Sequence, residues 1–222
     1  MLGRILKRFR PVPPTLNSLE AYKRWAASYP PHAHNPLMQA EQQAMLDLLP
    51  DMQGKLALDL ACGTGRYSRL AAERGASVII GMDNSAAMLK RSQRRRLVLA
   101  DAGAIPLASS SVDVVFCGLA LGHLPRLAPP LYEISRVLKP GGCALVSDFH
   151  PLLALNGGRR TFTTPNGQTY AVEHHTHLYS DYHQAARLVG LHVADVLEPR
   201  ADHPSAPAGW PVAIIFRFEK NG

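Results

Sequence analysis

Three carboxylates stand at or near the ends of three successive apolar runs: Asp59 within Leu56 to Ala61, Asp83 after Ser77 to Met82, and Asp101 after Leu97 to Ala100. Between the first two lies Cys62-Gly63-Thr64-Gly65-Arg66-Tyr67. Gly63 and Gly65 lack Cβ, so the turn can be tight and a ligand can approach its backbone closely. The neighbouring charges indicate which ligand. A pyrophosphate fingerprint wants a third glycine where Ser68 stands, and no G-x-x-x-x-G-K-[ST] run is present. A carboxylate at Asp59 would repel a pyrophosphate and suits the ammonium of an amino acid, directly or through water. Asp83, at the end of the next run, can accept bonds from both hydroxyls of a ribose. Asp101-Ala102 falls where an adenine amine would lie.

Histidines are the candidate bases, and there are ten. His123 follows the fourth apolar run, and His150 follows the fifth in Asp148-Phe149-His150-Pro151. His174, His175 and His177 are expected on the returning arm of a hairpin. Alternation on a strand would place His175, His177 and Tyr179 with Glu173 on one face and His174 on the other. The general-base candidates are His123, His150 and His177, with His150 and His177 the first choices. His175 and His177 with His150 nearby also have a metal-ligand pattern, but carboxylates are lacking apart from Glu173. Lining of a pocket by satisfied polar groups is the favoured reading, and no metal is expected. Cys62, Cys117 and Cys143 form no C-x-x-C pair, which suits reduced thiols in a cytoplasmic protein.

The elements that must position these groups alternate along the chain. Helices are expected over 18–29 and 36–49, the second with Pro36 in its first turn and Leu37, Ala40, Ala44 and Leu48 at helical spacing. Strands follow at 56–61, 77–82, 97–100, 112–117 and 143–148. Helices between them are expected at 65–74, 86–94 and 130–137, the last closed by Lys139-Pro140-Gly141-Gly142. This pattern predicts an α/β fold, a doubly wound, mostly parallel sheet of seven strands. Residues 150–179 lack a clear helix and read as a β-hairpin, with arms 159–164 and 168–179 about Pro165-Asn166-Gly167. Ser180 then caps a helix to Val189, and strands at 191–197 and 212–218 finish the sheet, one of them an antiparallel edge.

The 222 residues suit one domain: a basic tail over 1–17, then a single unit over 18–222. Within it, 18–50 is a helical lid, 56–148 a cofactor-binding core, 149–179 an acceptor-side hairpin insertion and 180–222 the final helix and strands. The net charge of +7 is uneven. Residues 1–24 sum to +5 and residues 90–96 to another +5, so the remainder sums to −3. Two basic segments read as solvated surface rather than a domain-wide nucleic-acid face. Leu2, Ile5, Leu6 and Phe9 fall on one helical face among basic residues; the segment is short and reads as a mobile tail, with a membrane-surface anchor as the alternative. No run approaches a membrane span, nor does Met1 to Arg10 read as a secretory signal, so no stable membrane insertion is expected.

Asp59-x-x-Cys62-Gly63-Thr64-Gly65, Asp83, Asp101-Ala102-x-x-Ile105-Pro106 and Leu138-Lys139-Pro140-Gly141-Gly142, in this order and spacing, resemble the class I S-adenosylmethionine methyltransferases. Val112-Asp113-Val114-Val115 with Leu119-Ala120-Leu121-Gly122-His123-Leu124 is similar to their small-molecule, type 11 branch. The resemblance implies S-adenosyl-L-methionine as cofactor and S-adenosyl-L-homocysteine as product. It implies Asp59, Cys62, Gly63 and Gly65 at the methionine end, Asp83 and Asn84 at the ribose, and Met88, Asp101 and Ala102 at the adenine. Leu119 would sit near the cofactor and His123 near the opening. Tyr22-x-x-Trp25-Ala26-x-x-Tyr29 matches a segment that closes over the cofactor, through Tyr22 and Tyr29. The expected activity is methyl transfer to oxygen or nitrogen of a small metabolite. Aromatic and apolar residues of the insertion (Phe149, Leu152, Leu153, Phe162, Tyr170, with Tyr179 and Tyr182) suggest an aromatic or lipophilic acceptor. The alternatives are an RNA or protein methyltransferase using the basic arms, and a cofactor-binding regulatory protein without transfer activity. Nucleic acid is disfavoured, because the loop after the fourth strand lacks the N/D-P-P-Y/F/W pattern that holds a flipped base.

Overall fold

The computed structural model describes residues 12–222. The anchor pattern at Leu2 to Arg10 lies outside them. The first element is a two-residue strand, β1 (Thr15–Leu16), followed by helices α1 (Ser18–Trp25) and α2 (Pro36–Asp47). Both helices start where their caps dictate. The Asn17 side chain accepts from Glu20 N, and that of Asn35 accepts from Met38 N just before Pro36. Thr15–Leu16 fell in the expected tail. It pairs in parallel with a strand far along the chain, a tertiary contact that two residues cannot announce locally.

The alternating part runs β2 (Leu56–Leu60), α3 (Arg66–Glu73), β3 (Val78–Asp83), α4 (Ala86–Leu89), β4 (Leu97–Leu99) and β5 (Val112–Gly118). After it come a 3-10 turn (Leu121–His123), α5 (Ala128–Val137) and β6 (Leu138–Phe149). Helix α4 stops five residues short of the expected end. Past Leu89 the sequence Lys-Arg-Ser-Gln-Arg-Arg-Arg offers no apolar residue to bury. Lys139 to Gly142 does not close α5 as a loop but begins β6. A register irregularity against β5 absorbs the Pro-Gly-Gly run, and Lys139 Nζ pairs with Asp113 Oδ1 at 2.9 Å there.

The last third holds α6 (Pro151–Leu155), β7 (Thr161–Thr163), β8 (Thr169–Val172), α7 (Tyr179–Leu188), β9 (Leu191–Leu197) and β10 (Ala213–Lys220). Helix α6 was not expected, and the Nδ1 of His150 caps it by accepting from Leu152 N at 3.2 Å. β7 and β8 form the hairpin, but its second arm ends at Val172. Residues 173–178 are irregular, so the alternation of His174, His175 and His177 across two strand faces does not exist. Helix α7 is capped at Leu178, whose N–H donates to Asp181 Oδ2, rather than at Ser180.

The main sheet has seven strands in the order β4-β3-β2-β5-β6-β10-β9. β2 to β6 are parallel, and β10 is antiparallel to both its neighbours. The antiparallel strand is therefore next to the edge, with β9 outside it. Apolar residues at alternating positions fill both faces. Leu58, Val115 and Val146 pack under α5 and α7, while Ala57, Val114, Phe116 and Leu145 pack under α2 and α3. A smaller three-stranded sheet, β1-β8-β7, carries α1 on a separate apolar patch of Ala21, Phe162, Tyr170 and Val172. The chain order reverses between β2 and β5, and the crevice at their carboxyl ends is where ligands bind in such sheets.

Candidate active site

That crevice is a cavity whose wall is built strand end by strand end. β2 delivers Asp59 to Gly63, β3 delivers Asp83 and Asn84, and Asp101 and Ala102 follow β4. Gly118, the last residue of β5, and Leu119 to Leu121 after it close the far side. Gly63 and Gly65 have φ of 56° and 90°, the left-handed conformation that favours glycine. Ala61 (φ 54°) and Leu119 (φ 55°) adopt it with side chains. These two strained residues face the crevice from adjacent strands, as is common where a site is held in a fixed shape.

The carboxylates are anchored but not exhausted. Asp83, nearly buried, accepts from Gly63 N on Oδ2 and from Ser85 N on Oδ1, both at 2.8 Å. It therefore locks the glycine turn. Each oxygen keeps a second lone pair, enough for two ribose hydroxyls. Asp59 accepts from Ser68 N (2.7 Å) and Ser68 Oγ (2.6 Å), both on Oδ2. It thus caps the start of α3, and Oδ1 has no donor among the described residues. Burial pushes its carboxyl up to about 6. Asp101 accepts from Gly103 N at 2.8 Å and stays exposed at the rim. Met88 is buried, with its Cε 3.2 Å from where a Cβ on Gly63 would stand. A side chain on Gly63 would press into the space the turn leaves open. The set fits an adenosyl amino acid: an acid for the ammonium, one for the ribose, one beside the adenine and a thioether against its face.

A second group enters from outside the sheet. Arg160, just before β7, places its Nη1 2.7 Å from Tyr22 Oη, 3.0 Å from Leu119 O and 2.9 Å from His123 Nε2. Tyr22 Oη lies 3.1 Å from His123 Nε2, and His123 Nδ1 lies 2.8 Å from Glu173 O. The donor count fixes the arrangement. His123 donates from Nδ1 to the Glu173 carbonyl, so Nε2 is the acceptor and receives the Tyr22 hydroxyl. Arg160 Nη1 donates to Tyr22 Oη and Leu119 O, with Nε2 close by. Burial, and then the guanidinium beside it, pushes His123 down to about 3, so the ring is neutral. Burial likewise pushes Tyr22 up to about 12.

A third network ties α2 to the core beneath the cavity. Glu41 is fully buried. Its Oε1 accepts from Tyr67 Oη (2.6 Å) and Ser147 Oγ (2.5 Å), and its Oε2 pairs with Arg66 Nη2 at 2.9 Å. Arg66 also stacks over the Tyr67 ring, 4.4 Å from its centroid. Helix α1 is held differently, by ring stacking: Tyr22 on Trp25 (5.9 Å) and Trp25 on Phe162 (4.9 Å).

Of the residues picked from sequence, Tyr22, Tyr29, Asp59, Cys62, Gly63 and Asp83 line the cavity. So do Asn84, Met88, Asp101, Ala102, Leu119 and His123. Gly65 lies behind the turn, in a neighbouring depression with Arg69, Arg91 and Arg94. His150 and His177 are not on the wall. His150 caps α6 and faces Glu198 at 3.3 Å, and His177 Nε2 bonds Leu124 O at 2.8 Å. Among the described residues no group of three or more His, Cys, Asp or Glu is placed to hold a metal. The aromatic insertion does not line the cavity either. Phe149, Leu153, Phe162, Tyr170 and Tyr182 are buried in packing, while Leu152 and Tyr179 point to solvent. Sequence reasoning missed Arg160 and Glu41. Glu41 did carry a signal, a charge four residues after Leu37 on the apolar face of a helix. Arg160, in an irregular segment, carried none.

Residues 58–146 match the methyltransferase domain family. A malonyl-[acyl-carrier protein] O-methyltransferase of Enterobacter lignolyticus is 36% identical over 126 residues, 55% of this chain and 49% of that protein. A demethylmenaquinone methyltransferase of Renibacterium salmoninarum is 36% identical over 115 residues, 50% of this chain and 48% of that protein. The chain thus spans about half the length of these relatives. Among solved structures, an S-adenosylmethionine dependent methyltransferase of Mesorhizobium loti superposes with a TM-score of 0.67 at 22% identity, over 82% of this chain and 98% of that one. The likeness extends the shared fold well beyond the matched domain.

Proposed function

We propose that this chain binds S-adenosyl-L-methionine in the cavity and transfers its methyl group to oxygen or nitrogen of a small metabolite. The observation that carries this is the placement of Asp59, Asp83 and Asp101 at three successive strand ends, each with acceptor capacity left after its protein bonds. The bound cofactor supplies an already activated methyl on a sulfonium, so the protein's contribution is positioning. Asp59 holds the ammonium, Asp83 the ribose, and Met88 with the Asp101-Ala102 edge the adenine. Tyr22 and Tyr29, from the segment around α1, cover the cavity. The two named relatives act on different acceptors, and the family match ends at residue 146, short of residues 149–179. The acceptor therefore has to be read from this chain's own residues.

A cytoplasmic location is part of this proposal, supported by three buried cysteines that form no disulfide among the described residues; among the described residues no helix is long and apolar enough to cross a membrane. The test is incubation with methyl-labelled cofactor and separate small-molecule, RNA and protein fractions of a cell extract. Label is expected in the small-molecule fraction. Label in RNA or protein would overturn that acceptor class, and tight cofactor binding with no transfer to any fraction would favour the regulatory alternative.

A further inference from the structure

Arg160 is a cation with no direct ion pair, Asp148 being the carboxylate that acts on it from a distance. Among the described residues no carboxylate lies within 4 Å of it, although every other ion pair near the cavity is closed. The eleven residues outside the description contain no Asp or Glu. Among the described residues, all its bonds leave from Nη1. Nε and Nη2, the two donors on the guanidinium's side edge, have no acceptor among the described residues. Neither is buried out of reach of solvent without a partner. The residue lines the cavity. Two parallel N–H groups at that spacing match the two oxygens of a carboxylate. Tyr22, Leu119 and His123 hold the third nitrogen and so fix the direction of the fork.

The same cluster lacks a base. His123 is neutral, but its lone pair on Nε2 is directed at the Tyr22 hydroxyl and Arg160 Nη1. Tyr22 is protonated, and His150 and His177 are elsewhere. An alcohol, phenol or ammonium acceptor would have to lose a proton, and no wall residue beside Arg160 is arranged to take it.

We propose that Arg160 binds the methyl acceptor through a carboxylate, and that the product is a methyl ester. This rests on the reading of the cavity as a methyltransferase site. A carboxylate oxygen forms the new O–CH3 bond as the S–CH3 bond breaks, and the sulfur keeps the bonding pair as a thioether. The carboxylate and sulfonium charges cancel, and no proton is released. His123 is then a positioning residue, acting through Tyr22 and Arg160. The competing source of a carboxylate is the cofactor's own amino-acid end. Arg66 also lines the cavity but is already paired with Glu41.

The test uses calorimetric titration of the full chain. S-adenosylhomocysteine is bound first to wild type, Arg160→Gln and Arg160→Lys. Benzoate and octanoate are then titrated in, beside benzamide and octanamide. In wild type at least one acid should bind about tenfold or more tighter than its amide. Arg160→Gln should erase that preference and Arg160→Lys should keep part of it. Binding of S-adenosylhomocysteine should stay within about threefold in both variants, which also reports that they fold. Loss of about tenfold or more in its affinity on Arg160→Gln would overturn the proposal and assign the guanidinium to the cofactor's carboxylate. Equal binding of acids and amides, or no binding of either acid, would also overturn it. Failure of wild type to bind S-adenosylhomocysteine would sink the methyltransferase reading itself, a distinct result.

Discussion

At the residue scale, geometry reassigns the histidines. Sequence position nominated His123, His150 and His177, with His150 and His177 the first choices. Only the fold separates the one on the cavity wall from the two that satisfy backbone groups. Removing a general base lowers turnover by about 10²–10⁴, so His150→Ala and His177→Ala are each expected to lose no more than about threefold. His150→Ala should instead reduce stability by about 0.5–2 kcal/mol, the usual loss for a helix cap, in urea unfolding. A large turnover loss in either would restore it as a base. Asp59 carries a second prediction. Its folded-state value, about 6, lies above the ordinary 3.8. In the unliganded protein its stabilising contribution is therefore full below pH 3.8 and lost as pH rises through 6. Ligand binding has the opposite sign, because an ammonium favours the carboxylate and binding expels a proton. Affinity for S-adenosylhomocysteine should rise with pH from 5 to 7, by at most about tenfold per unit below pH 6, and then level off. Arg66 and Asp83 are the charged neighbours, and the Cys62 thiol, pushed up by burial, stays protonated. Asp59→Asn should bind more weakly and without this slope; a slope that persists would assign the proton elsewhere.

At the element scale, the parts that were legible in sequence are those whose signals are local. Apolar runs marked β2 to β6. Long-range pairing was not legible. Thr15–Leu16 becomes a strand only because Val172 and Ala171 lie beside it. The second hairpin arm stops at Val172 because the chain then turns in to meet the 3-10 segment: His175 N donates to Gly122 O at 2.6 Å. That contact explains Gly122. A Cβ there would run into His174 and stand 2.6 Å from Asp148 Oδ1. Gly122→Ala is expected to destabilise by about 1–3 kcal/mol, as overpacking does. Glu41 ties α2 to the sheet through Ser147 of β6. Glu41→Ala leaves Arg66 buried without its partner and two hydroxyls without an acceptor, at a cost of about 3–5 kcal/mol. A loss under about 1 kcal/mol in either variant would mean that the contact relaxes without strain.

At the scale of the whole molecule, the seven-stranded sheet and its switch point between β2 and β5 dictate where a ligand sits, and they were readable from the βα alternation. The side of the sheet that meets the acceptor was not. It is assembled from α1, the 3-10 turn and residues 158–178, which touch one another across more than a hundred positions, as Tyr22 and His123 do. Aromatic composition alone pointed to the wrong residues there, because most of those rings are spent on packing. The account therefore stands first on the cofactor cavity. Calorimetric titration of S-adenosylhomocysteine into wild type and Asp83→Asn tests it most directly, with NAD as the control nucleotide. The account predicts one site per chain, weakened roughly ten- to a hundredfold by Asp83→Asn as a charged acceptor is lost, and no competition by NAD. Absence of binding, or displacement of the ligand by NAD, would contradict it.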